Sequence, residues 1–230
     1  TEQELSSQQT AGVDILCAGG SYSFGRWKDY LTGIDRRCIP GELEYDARSL
    51  TADAEEITTL ARGAWLTIPA PHLLNLEVKR SRDPDETISA LYDVYQDMMR
   101  SGRDAHLAGH VLFCDRILEE ELESFTGKRT FFFCTGLDRG SLVLLLEYQH
   151  SIALKPGMLP VLEEIMEDHI ISRLILIDPA HEDLHRALSI RNPDQIMVGG
   201  YCPVDGEGYW KKLVESSFVV TGTQPDRQTS

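Results

Sequence analysis

The sequence predicts an α/β protein: a mainly parallel sheet covered by helices, Rossmann-like or of a related three-layer plan, with a more mixed N-terminal part. Three observations carry that prediction. From residue 106 onward, short apolar runs alternate with amphipathic helical patterns, the order that builds a parallel sheet. Arg129 to Cys134 and Arg173 to Asp178 read as fully buried strands. A 230-residue chain with 42% apolar and 26% charged residues has enough core to fold without staples, which excludes disorder of the whole chain.

Taken in order, residues 1–11 are polar and read as a disordered tail. Val13 to Ala18 is the first strand candidate, closed by Gly19-Gly20-Ser21, with a short helix expected from Arg26 to Leu31. Residues 33–63 carry no clear pattern. Trp65 to Pro69 and Leu73 to Arg80 read as strands, the second by alternation of Leu74, Leu76 and Val78. The clearest helix spans Asp85 to Met99, with Ile88, Leu91, Val94, Tyr95 and Met98 on one face, an Asp cap before it and Ser101-Gly102 as its stop.

Further on, His110 to Phe113 is an apolar stretch and Asp115 to Phe125 an acidic helix. Leu142 to Tyr148 fits strand or helix. Pro160 to His169 is a helix, with Pro160 suited to its first turn, and another helix is expected from Asp178-Pro179 to about Ile190. Gln195 to Val198 is a strand, Gly208 to Ser216 a short helix, and Phe218 to Thr221 a last strand before a polar tail at 222–230. The expected organisation is a single α/β domain over 12–221, with a subdivision near 105 left open.

Composition bounds the partners. A formal charge of −15 repels phosphate backbones and anionic membranes, so nucleic acid and membrane partners are not expected. No apolar run approaches the ~18 residues that span a bilayer. Five unspaced cysteines fit reduced thiols and a cytoplasmic location. The chain begins with Thr rather than Met, which leaves room for an upstream segment. A small-molecule ligand is the expected partner, and a homo-oligomer stays open.

Site candidates follow from the fold, because parallel sheets place ligands at the carboxyl ends of their strands. Cys17, Cys114, Cys134 and Cys202 all fall at such ends. Converging thiolates would hold a zinc ion or an iron–sulfur cluster, or supply a nucleophile; cysteine also packs well as a plain small hydrophobe. Two glycine loops, with Gly19, Gly20, Ser21 and Ser23 in one and Thr135, Gly136, Arg139 and Ser141 in the other, offer backbone N–H groups to an anion, with Arg26 and Lys28 as further cations. Neither matches a nucleotide fingerprint.

His181-Glu182-Asp183-Leu184-His185 spells the zinc-hydrolase pattern HExxH: two imidazoles one turn apart as ligands, Glu182 as the base, and Asp205 or Glu207 as the third ligand. Its place in the first turn of a helix counts against it, since the helix dipole there disfavours a cation. Asp46 with Glu77-Val78-Lys79 is a weaker, nuclease-like pattern. No G-x-S-x-G elbow occurs. His72, His150 and His169 show no partner in the sequence.

The expected function is therefore binding of a small anionic or metal-containing ligand at the carboxyl edge of the sheet. A zinc-dependent HExxH hydrolase and a non-catalytic sensory or interaction domain are the alternatives.

Overall fold

The computed structural model describes residues 2–19, 29–34, 38–39, 42–78, 83–127, 129–201 and 208–218. The architecture is mixed α/β with parallel sheets flanked by helices, as expected. Its strands are β1 (Cys17–Ala18), β2 (Leu31–Thr32), β3 (Cys38–Ile39), β4 (Glu44–Tyr45), β5 (Trp65–Pro69), β6 (Glu77–Val78), β7 (Gly109–Cys114), β8 (Thr130–Cys134), β9 (Ser151–Leu154), β10 (Arg173–Ile177) and β11 (Ile196–Gly199). Its helices are α1 (Glu2–Ala11), α2 (Ala47–Leu60), α3 (Pro84–Asp104), α4 (Glu119–Phe125), α5 (Arg139–Tyr148), α6 (Leu159–Ile165), α7 (His181–Ile190) and α8 (Tyr209–Ser216).

The strands β1-β5-β7-β8 form one parallel sheet and β9-β10-β11 another. Gln149 joins them. Its side-chain oxygen accepts from the Phe132 N–H at 2.9 Å and its amide donates to the Phe132 carbonyl at 3.1 Å. A side chain thus supplies the ladder bonds between β8 and the start of β9. The seven strands therefore lie side by side in chain order. With right-handed crossovers, that order puts the connecting helices on one face.

The sheet curls. Tyr201, just past β11, stacks on Phe113 of β7 at 5.3 Å and tilts against Phe133 of β8 at 5.9 Å, contacts that a flat sheet could not bring together. Helix α1, which flanks β1, packs on α8, which follows β11. The N-terminal part is the mixed one: β2 pairs antiparallel with β4, and β3 parallel with β6.

Several elements depart from expectation. Residues 2–11 form α1, not a loose tail. Leu5 is fully buried, and Gln8 brackets the β1 edge, accepting from Cys17 N–H and donating to Cys17 carbonyl, both at 2.9 Å. The unreadable stretch before residue 63 holds α2, started by Asp46, whose carboxylate caps the N–H groups of Arg48 and Ser49. Ser101-Gly102 does not end α3. Gly102 sits inside the helix because the His110 ring lies 2.7 Å from where its Cβ would be.

Leu73 to Arg80 is not one strand: Pro71–Leu74 is a 3₁₀ turn, Asn75 is left-handed at φ 48°, and only Glu77–Val78 pairs. The first strand is reduced to Cys17–Ala18, and Leu142 to Tyr148 is helical. Phe218 is exposed and outside any strand. Residues 26–28 and 219–230 lie outside the described residues.

One buried cluster runs from Leu5 through Leu145 and so crosses residue 105. A second is built around β9 and β10. Helix α5 serves both, giving Leu145 to the first and Leu142 and Leu146 to the second.

Candidate functional site

Strand residues alternate between two environments, as the two-residue period demands. Even positions such as Leu66, Leu112, Phe132, Ile152 and Leu174 are buried beneath the helices. Odd positions such as Thr67, Val111, Phe131, Ala153 and Ile175 face the concave side, where they line a cavity of about 1210 Å³. Every strand from β1 to β11 in the curled sheet contributes to its mostly apolar wall. Phe113, Phe133 and Tyr201 stand at its carboxyl end.

Glu4, Cys17 and Thr67 form a polar spot on the β1 side of this cavity. The Cys17 sulfur lies 3.0 Å from the Thr67 hydroxyl, and burial pushes its thiol up to about 12. Glu4 accepts from the Gly19 N–H at 3.3 Å, and burial raises its carboxyl above the usual range.

The expected thiols do not gather at one point among the described residues. Cys114 and Cys134 are register partners on adjacent strands and both are buried on the helix side. Cys17 faces the cavity on the other side of the sheet, two strands away. Cys202 lies outside the described residues. Among the described residues, no group of three or more His, Cys, Asp or Glu side chains could hold a metal.

Sequence reasoning missed a cluster beside those thiols. His72 lies in the turn after β5. Its Nδ1 is 2.8 Å from a Glu121 oxygen, its Nε2 is 3.0 Å from Asp115, and its backbone N–H donates to the other Glu121 oxygen at 2.8 Å. Glu121, in the first turn of α4, is buried, while Asp115, just after β7, is largely exposed. Burial works against charge on His72, but the Glu121 hydrogen bond and charge, followed by those of Asp115, outweigh it and raise its pKa. A carboxylate thereby fixes the imidazole, as in acid–base sites. The partners are 43 and 49 residues from His72 in sequence, so no motif could show them. Two of the three, His72 and Asp115, share placement just past a strand end, while Glu121 opens the helix that follows.

The same cluster polarises the thiols. The Cys114 thiol donates to the Phe133 carbonyl at 3.6 Å. Its place beside Cys134 lowers the Cys134 pKa against the cost of burial; the Gly136 N–H and the nearby His72 act in the same direction, and the Asp115 charge acts against them. Cys114 is raised by its place beside Cys134 and by burial.

The glycine loops are already supplied with carboxylates. Gly19 donates to Glu4, and the Ser141 N–H donates to Asp138 at 2.7 Å, capping α5 where an anion would sit. Arg139 pairs with Glu164 at 3.7 Å on the surface. Thr135 donates from its N–H to the Cys114 carbonyl, and Gly136 passes so close to the Asp115 carbonyl that a Cβ would collide with it. Gly20, Ser21 and Ser23 lie outside the described residues.

The HExxH string opens α7, with the Nε2 atoms of His181 and His185 3.1 Å apart on an exposed face. Glu182 is exposed and Asp183 accepts from the Ala180 N–H. Asp205 and Glu207 lie outside the described residues, so the third ligand is not placed. Asp46 is spent as the α2 cap, and Lys79 is outside the described residues.

Fold and site together define a curled parallel α/β protein with an apolar cavity on one face of its sheet and a polarised His–thiol cluster on the other. Among known proteins, the sequence matches no family model and no curated sequence. Among the described residues, no helix is long and apolar enough to cross a membrane.

Proposed function

We propose that the protein binds a small, predominantly apolar molecule in the concave cavity, entered at the carboxyl ends of its strands. The reading rests on one observation: a cavity of about 1210 Å³ lined by odd-numbered residues of every strand of the curled sheet, together with residues of α1, α7 and α8. Pockets for small ligands are typically roughly 300–1,000 Å³, mostly apolar, with a few placed polar groups. Glu4, Cys17 and Thr67 fill that last role, and they fix the orientation of the ligand. At the polar spot the cavity carries a carboxyl, and both glycine loops donate to carboxylates of the chain itself, so an anion is not the ligand favoured there.

The test is a titration with N-phenyl-1-naphthylamine, a neutral probe that fluoresces in apolar surroundings. Saturable binding near one per chain is expected. Ala153 is buried on the cavity wall, so Ala153→Phe fills the space and weakens binding at least ~10-fold, a loss of about 1.4 kcal/mol. Absence of saturable binding, or equal binding by a folded Ala153→Phe variant, overturns the reading.

A further inference from the structure

We propose that Cys134 and Cys114 form a reversible dithiol that hydrogen peroxide converts to a disulfide, with Cys134 as the attacking sulfur and Cys114 as the resolving one. The geometry is that of a preset pair. The two residues are register partners at the last positions of β7 and β8. Parallel neighbours about 4.8 Å apart bring the Cα atoms inside the roughly 4.4–6.8 Å span of a disulfide. Both side chains point to the helix side, so no strand must rotate to join them.

The surroundings distinguish the two sulfurs. Beside Cys134 lie the Cys114 thiol, the Gly136 N–H and the His72 imidazole held by Glu121 and Asp115, which together lower its pKa against burial and the Asp115 charge. Those are the conditions that favour a thiolate. Cys114 keeps its proton and donates it to the Phe133 carbonyl at 3.6 Å. Burial holds the Cys17 thiol protonated, and the nearby Glu4 charge acts in the same direction.

The chemistry balances in two steps. The Cys134 thiolate attacks one oxygen of hydrogen peroxide; the S–O bond forms as the O–O bond breaks, and the departing hydroxide takes a proton to become water. This leaves Cys134 as a sulfenic acid. The Cys114 sulfur then attacks Cys134, the S–S bond forms, and the sulfenic hydroxyl leaves with the Cys114 proton as a second water. The peroxide is reduced and the two thiols are oxidised. A thiol reductant restores the pair by exchange. The inference stands apart from the cavity reading, since the pair lies on the opposite side of the sheet.

The test uses the full chain, reduced and then exposed to hydrogen peroxide, with remaining thiols alkylated after denaturation and the peptides mapped by mass spectrometry. The expected product is a Cys114–Cys134 crosslink lacking two hydrogens and reversed by dithiothreitol. Cys134 should be consumed at least ~10-fold faster than Cys17, as thiolate fraction sets the rate. Cys114→Ser should stall at a sulfenic acid on Cys134 that dimedone traps, and Cys134→Ser should leave Cys114 unmodified. Wild-type mapping needs no variant to fold. The proposal is overturned if both thiols still alkylate at peroxide exposures that oxidise Cys17, or if the disulfide joins other cysteines.

Discussion

His110 makes the protein sensitive to mild acid, by an amount that follows from its burial. The residue lies on β7 with 1% of its surface exposed, its ring against Gly102 near the end of α3. Neither ring nitrogen has a hydrogen-bond partner among the described residues. Burial, with a smaller contribution from the charge of Arg103, pushes its pKa from 6.5 down to about 3. The native ring therefore stays neutral through the range in which the unfolded chain takes up a proton. Stability contributed by this group is present above 6.5 and declines as pH falls from there toward 3. The slope reaches about 1.4 kcal/mol per pH unit, so roughly 2 kcal/mol is lost by pH 5.

His110→Leu removes the titration and an unpaired buried polar group while keeping a side chain in the space. Urea unfolding of both proteins from pH 7.5 to 5 should give curves that diverge by about 2 kcal/mol, with the variant flatter. All other titrating groups are shared, so they cancel in the difference. Parallel curves would refute the reasoning, because they would mean that His110 is hydrated or paired in the native protein.

Other perturbations test the remaining structure. His72 has the opposite sign: its raised pKa contributes stability that is complete below 6.5 and disappears as pH rises through the native value. His72→Gln should thus cost most in the acid range and least in alkali, as read by the same unfolding series. Gln149→Leu leaves the Phe132 N–H and carbonyl unpaired between the two sheets, and should lower unfolding free energy by about 2–4 kcal/mol in urea titrations. Gly136→Ala forces a Cβ onto the Asp115 carbonyl and should cost about 1–3 kcal/mol by thermal melting.

The sequence carried the α/β class because alternation of apolar runs and amphipathic stretches is a local property. The strands at 109–114, 130–134, 173–177 and 196–199, and helix α3, all fall near where their patterns put them. What failed was decided by tertiary partners. Helix α1 offers one buried leucine and a glutamine whose value lies in bonding the β1 edge, so it has no apolar stripe to read. Gly102 resembles a helix stop, yet it is a contact point for His110.

The site was half legible. Strand-end reasoning selected Cys17, Cys114 and Cys134, but strand parity separates Cys17 from the other two. His72, Asp115 and Glu121 come together only through the adjacency of β5, β7 and α4. The cavity depends on curl, which Tyr201 reports through its contact with Phe113 and which no run of sequence encodes.

The central claim is that the concave face of the sheet holds a small apolar molecule. The most direct measurement is a crystal structure with N-phenyl-1-naphthylamine soaked at saturating concentration. The account predicts density for the probe among Val111, Phe131 and Ile175, with its amine toward Glu4, Cys17 and Thr67. A probe bound elsewhere, or a concave face closed by its own side chains, would contradict it.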